Sequence, residues 1–348
     1  MLLLQKLTKA LLWLTLGTLL LVVSFYVLLL AINWQDEAPS ANAHLLQSTF
    51  QMNAPVADNI NGYSYFLRHN TQALLPVSDK LRALFAACDR KDCYVELSAA
   101  SPDVYTLIEE HQALLGFYQH LLQFRYWQEP PLRHHSQIPS YQSLASAHRL
   151  YLLHIWLQLQ ADDATAARQL LQQDLQFWRL VIRHNNHLLG ISISRAALQR
   201  HFFFSQMLLA QLEPEQQVAL APSAWHEPFS VDELSLRNAI AGEWFLRSSL
   251  VKEAMASPFN HWGDNWYEQL RMRFVMPLLL PQATANDYAT QLLACLGESQ
   301  LPELRWYHWL YNPVGKVLNH SSSLDCYRYN LQQLEQHRLD TIAPLARH

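Results

Sequence analysis

Apolar and polar positions follow two different rules along this chain. From Ala10 to Ile32 there are 23 consecutive positions without a charge, and fifteen of them are Leu, Val, Ile or Phe. At about 1.5 Å per residue such a helix is roughly 34 Å long, enough for a hydrocarbon core of about 30 Å. The pattern predicts one transmembrane helix over 10–32. Trp13 and Trp34 lie near its two ends, where an indole can keep its ring in the interface and its N–H in water. Thr15, Thr18 and Ser24 interrupt the run, but their hydroxyls can bond back to helix carbonyls.

Beyond the anchor the apolar positions recur with helical spacing. Residues 33–80 are the exception: Pro39, Pro55, Pro76 and the patch from Asn59 to Gly62 predict a stalk and irregular lead-in. A helix is predicted from Asp103 to Trp127, opened by Ser101-Pro102 and closed before Pro130-Pro131. A second, from Tyr141 to Gln160, is apolar on most faces and belongs at the centre of a bundle. Asp162-Asp163 caps a third, whose stripe runs Leu171, Asp174, Trp178, Val181, Asn185 and Leu188. Further helices are expected at 192–212, 214–221, 231–255, 266–276, 286–296 and 323–339. No repeat of fixed period is present. The predicted fold is all-α, one N-terminal transmembrane helix followed by an irregular multi-helix bundle over 81–348.

Charge supplies a direction. Lys6 and Lys9 precede the apolar run and Asp36-Glu37 follow it, so the positive-inside rule keeps residues 1–9 in the cytoplasm and exports the rest. The rival expectation is a cleaved leader, because Ala41-Asn42-Ala43 has the small-x-small form of a cleavage site. Against it, the run far exceeds the roughly 7–15 apolar residues of a secretory signal. Export makes the four cysteines candidates for pairing, Cys88 with Cys93 around a short polar turn and Cys295 with Cys326. A net charge of −4 with scattered basic residues leaves no footprint for nucleic acid. Only 8 glycines in 348 residues leave no Gly-rich phosphate loop, so no nucleotide cofactor is expected.

Asp174 interrupts an apolar stripe, where an ionised carboxylate needs a partner; Arg149, Arg195 or Arg237 would supply a register-fixing ion pair. The alternative is a polar pocket in which Asp174, His148 and Glu243 serve as acid or base groups. His184 and His187 are three apart in a predicted helix and His201 is on the next. Arg183 to His187 reads first as a solvated helix end, and otherwise the three histidines form a metal-binding set. Two aromatic clusters, Phe259 to Tyr267 with Trp262, Trp266 and Tyr267, and Trp306 to Pro313 with Trp306 and Trp309, read as core packing. Their functional alternative is a ligand groove or a membrane interface.

Asn61-Gly62-Tyr63, Phe177-Trp178-Arg179 in a long helix and Asn312-Pro313-Val314-Gly315, together with the single anchor, resemble uncharacterised single-pass α-helical envelope proteins of proteobacteria. The resemblance implies a bacterial inner membrane with a periplasmic domain and carries no catalytic residue across. The resulting expectation is a non-catalytic envelope protein whose helical domain binds a protein partner or envelope component. The alternatives are a membrane-associated hydrolase or transferase acting on lipid or glycan, and a histidine-based metal module.

Overall fold

The computed structural model describes residues 2–51, 55–70, 77–89, 93–256, 265–303, 305–320 and 330–347. Among them are sixteen α-helices and no strand, so the all-α architecture is as expected. They are α1 (Leu2–Ile32), α2 (Ala41–Gln51), α3 (Gly62–Asn70), α4 (Asp79–Cys88), α5 (Tyr94–Ala99), α6 (Ser101–Glu110), α7 (Gln112–Leu121) and α8 (Gln142–Gln160). There follow α9 (Ala164–His184), α10 (Leu188–Leu209), α11 (Pro214–Leu220), α12 (Arg237–Ala256), α13 (Trp266–Val275), α14 (Pro281–Cys295), α15 (Pro313–His320) and α16 (Gln332–Ile342). Contacts divide the chain into two compact units, Met1–Ser48 with Trp244–Leu324, and Thr49–Glu243 with Asp325–His348.

The first unit is organised on α1. Over Gln5–Ile32 this helix is long and apolar enough to cross a membrane, and it is not buried in the protein. Its threonines bond back as expected, Thr15 to the Leu11 carbonyl at 3.0 Å and Thr18 to that of Leu14 at 2.8 Å. The exit of α1 is tied down by Asn33. Its amide donates to the Leu310 carbonyl at 2.9 Å, and its side-chain oxygen accepts the Asn312 N–H at 2.6 Å. Asn312 takes φ 50°, a left-handed conformation that asparagine tolerates, and its side-chain oxygen then accepts the Leu280 N–H at 3.0 Å. Asn312 is thus the joint between α1 and the rest of the unit, and Pro313-Val314-Gly315 open α15. The acidic pair after α1 has a local role too. Asp36 accepts the backbone N–H groups of Gln282 at 2.7 Å and Ala283 at 2.9 Å, satisfying orphan donors of the first turn of α14. A small core of Val251, Met272, Met276 and Leu279 packs α12 against α13.

The second unit is built around α8, α9 and α10. α8 buries residues on most of its faces, including Leu144, Leu150, Ile155 and Trp156, which is why its sequence lacks a polar side. Asp163 caps α9 by accepting the Ala166 N–H at 2.9 Å. Cys88 and Cys93 form a disulfide joining α4 to α5, with Cα atoms 4.5 Å apart. Beside it, Asp89 receives Arg149 of α8 at 2.7 Å and Arg200 of α10 at 3.1 Å.

Several local expectations change. The stretch 33–80 is not an irregular stalk, because it contains α2, α3 and the start of α4, with Tyr63 and Phe66 fully buried. The helix expected over 103–127 breaks at His111, whose ring bonds the Leu107 carbonyl at 2.8 Å, and it ends at Leu121. The expected helix over 231–255 starts only at Arg237, because Glu233 is drawn into a bidentate pair with Arg179 at 2.8 and 3.0 Å. The expected helix over 323–339 falls partly outside the described residues, and α16 covers Gln332–Ile342.

Candidate functional site

A cleft in the second unit begins with the asparagine of the Asn-Gly-Tyr patch. Asn61 imitates a strand: its side-chain oxygen accepts the Gln128 N–H at 2.9 Å and its amide donates to the Gln128 carbonyl at 2.8 Å. The next residue donates its own N–H to the Tyr126 carbonyl at 2.8 Å. The fit there is tight: a Cβ on Gly62 would lie 3.1 Å from that of Phe124 and 3.3 Å from the Tyr126 oxygen. This pairing holds residues 126–131 as an extended wall. Behind the wall is a cavity of about 780 Å³, lined by Asp58, Arg68, Tyr126, Glu129, His184, Asn186 and Asn238 among others. Tyr126, half exposed, also borders a second cavity of about 340 Å³ with Asn59, Ile60 and Phe124.

Glu129 lies at the base of the larger cavity and is almost completely buried. One carboxylate oxygen accepts the Trp127 indole N–H at 3.1 Å, and the other accepts the backbone N–H of Asn186 at 2.7 Å. His187 accepts the Gly190 N–H on Nδ1 at 2.9 Å, which leaves the Nε2 proton facing Tyr141 at 3.0 Å and Glu129 at 3.5 Å. Burial raises the Glu129 pKa, and the donors around it, His187 first, counter only part of that rise. Asn186 is fixed from its other side by α12, where an added Cβ on Gly242 would lie 1.6 Å from its carbonyl oxygen. Gly242→Ala is therefore expected to displace Asn186 and to cost about 1–3 kcal/mol. Chemical denaturation of the full chain in detergent measures this, and an unchanged midpoint would show that the close approach is unimportant.

Asp174 occupies a different and sealed centre. It is fully buried together with His148 and His201. Tyr118 donates its hydroxyl to one carboxylate oxygen at 2.6 Å, and His201 donates Nδ1–H to the other at 2.7 Å, with His148 Nε2 3.3 Å away. Trp225, a donor only, gives its indole N–H to His201 Nε2 at 3.0 Å, which settles the tautomer of that ring. Burial alone would raise the Asp174 pKa, but His148 and His201 prevail and hold it well below the usual carboxylate range. Burial lowers the His148 pKa, opposed by Asp174. The arginine partner expected for Asp174 is replaced by a phenol and two imidazoles. Arg149 instead binds Asp89 at 2.7 Å, and Arg195 donates to Gln333 at 2.8 Å.

The other predicted residues are dispersed. Glu243 joins neither network; it accepts the Leu188 N–H at 3.0 Å at the start of α10. The metal alternative for His184, His187 and His201 is not met: among the described residues no three or more His, Cys, Asp or Glu side chains are placed to hold a metal ion. His184 lines the cavity, where burial and then Arg183 lower its pKa, while His187 serves Glu129 and His201 serves Asp174. Nor is His187 a solvated helix end, since α9 stops at His184 and His187, buried, begins α10 as its cap. Cys295 is disulfide-bonded, and Cys326 lies outside the described residues, as does Trp262.

No family model, curated protein or solved structure matches the chain. The site thus rests on its own geometry. Glu129, Trp127 and Tyr126 escape a periodicity search because they lie on extended backbone, and only the placement of Glu129 between a Trp and Pro130-Pro131 sets it apart. The aromatic clusters, read first as core, behave otherwise: Trp266 and Trp306 are 72% and 78% exposed. Neither lines the cavity, so the ligand-groove reading of Trp266, Tyr267, Trp306 and Trp309 does not describe this cleft.

Proposed function

We propose that the chain is a single-pass protein of a bacterial inner membrane, with a cytoplasmic N-terminus and a periplasmic helical domain that binds an envelope component or protein partner without chemistry of its own. The observation that carries the binding role is the cavity of about 780 Å³, lined by aromatic rings, amides and the charged side chains of Asp58 and Arg68 around a carboxylate already occupied by internal donors. Both carboxylates that resemble catalytic groups are committed. Asp174 is enclosed on all sides, and Glu129 holds Trp127 and Asn186 in place. Topology is supported by Lys6 and Lys9 before the anchor, by the Cys88–Cys93 disulfide, which suits an oxidising compartment, and by the resemblance to envelope proteins.

The test places a photoreactive side chain at Tyr126 or Asn238 of the full chain in native membranes, with exposed Val231 as comparator. A discrete adduct at both cleft positions and none at Val231 is expected. No adduct, or the same adducts at all three positions, refutes the cleft as the binding surface.

A further inference from the structure

The exposed aromatic residues of the first unit have a placement that the cleft does not explain. In α13, Trp266, Leu270 and Phe274 recur every fourth residue with Tyr267 beside them, and all four are exposed. On the opposite side of the helix Met272 enters the core with Val251, Met276 and Leu279, which prevents α13 from turning its apolar stripe inward. Arg271 and Arg273 border the stripe on its two sides. An apolar stripe with basic borders is the pattern of a helix lying in the plane of a membrane surface.

Contacts with α1 give that helix a depth. The Tyr26 hydroxyl donates to the Phe274 carbonyl at 3.1 Å, and the two rings meet edge to face at 5.7 Å. Tyr26 precedes Ile32, the last residue of α1, by six positions, which at 1.5 Å per residue is about 9 Å. Interfacial helices bury their apolar face about 5–10 Å into the boundary between headgroups and acyl chains, the same scale. A second aromatic segment stands at the exit itself. Trp306 projects from a 3-10 turn, Trp306–Leu310, whose last carbonyl accepts the Asn33 amide, and the Tyr311 hydroxyl donates to the Gln35 carbonyl at 3.2 Å. Trp34 is exposed at the same level. Indole rings are favoured at headgroup depth.

We propose that α13 and the Trp306–Leu310 turn form a lipid-facing collar around the exit of α1, with Trp266, Leu270 and Phe274 inserted among the acyl chains and the indoles of Trp34 and Trp306 at the headgroups. The occupant of this apolar face is the bilayer that holds α1, because the face is continuous with the surface of α1 through the Tyr26–Phe274 contact. The collar rests on the transmembrane reading of α1. It converts a flexible tether into a seat, so that the first unit meets the membrane in one orientation.

The experiment uses the full chain in vesicles of phosphatidylcholine and phosphatidylglycerol, spin-labelled under non-reducing conditions at L270C or F274C. L20C within α1 and exposed V231C in the second unit serve as references, and the unsubstituted chain must take no label. Access to oxygen, which concentrates in acyl chains, is compared with access to a water-soluble nickel complex. At Leu270 and Phe274 the oxygen-to-nickel ratio is expected to approach that at Leu20 and to exceed that at Val231 by about tenfold. Nickel access at Leu270 and Phe274 with oxygen access at Leu20 overturns the collar and leaves the anchor intact. Protection from both reagents means that protein covers the stripe, which also overturns the proposal. Nickel access at Leu20 removes the transmembrane reading, and the collar with it.

Discussion

Asp174→Ala is expected to lower the unfolding free energy by about 3–5 kcal/mol, the scale seen when one member of a buried charged cluster is removed. The side chain is fully enclosed, so the truncation leaves the Tyr118 hydroxyl and His201 Nδ1–H without an acceptor in a space water does not readily enter. His201 would also hold Trp225 less firmly, since its ring is oriented by Asp174 on one side and the indole on the other. Asp174→Asn keeps the volume and one acceptor but turns an amide N–H group toward existing donors, so a smaller loss is expected. Acid provides an independent check. Because the folded Asp174 carboxyl is held below the ordinary range, its contribution is complete above about pH 4 and disappears as pH falls toward the folded value. The original chain should lose stability in that window more steeply than Asp174→Ala. Denaturation in detergent, followed by tryptophan fluorescence at neutral and acid pH, measures both effects. A loss below about 1 kcal/mol at pH 7 would mean that the cluster is a passive inclusion in the core.

Glu129→Ala should cost about 2–4 kcal/mol and empty the cleft of its organising group. Two buried donors, the Trp127 indole and the Asn186 backbone N–H, lose their acceptor at about 1–3 kcal/mol each, partly offset where water from the cavity replaces it. The pH dependence has the opposite sign to that of Asp174. Burial raises the folded pKa of Glu129, so the folded chain binds this proton more readily than the unfolded chain does. The contribution of Glu129 is therefore complete in acid and declines as pH rises through the raised value. Glu129→Gln should remove that decline and cost less than Glu129→Ala at neutral pH. Equal stability of the original chain and Glu129→Ala would show that Trp127 and Asn186 find other partners, and the cleft would lose its structural basis.

These two carboxylates differ in how far they could be foreseen. Asp174 is visible because it interrupts a regular stripe between Leu171 and Trp178, and a break in a period-3.6 pattern is evidence of a local requirement. The identity of its partners is not visible. Arginine is the natural expectation for a buried carboxylate, yet the packing of α7, α8 and α10 against α9 brings a phenol and two imidazoles to it from residues 56, 26 and 27 positions away. Glu129 is foreseen by no period, since a non-helical segment next to prolines carries none, and only its place between a Trp and two prolines marks it. His187 shows the same limit. The solvated helix end expected for it fails because the chain breaks at Asn185 and makes that ring the buried cap of α10.

By itself the sequence determined the long apolar N-terminal helix, the helical character of the chain and the Cys88–Cys93 pairing. Each depends on a run length, a local period or a short loop, and these are properties of neighbours along the chain. The tertiary structure alone decided which polar residues meet, because Asn61 with Gln128, Glu129 with Asn186 and Tyr26 with Phe274 are joined across 67, 57 and 248 positions. It also decided where the aromatic clusters face. Trp266 and Leu270 have the composition of core residues, and the opposite placement of Met272 leaves them outside, because one helix cannot turn both of its faces to the same core.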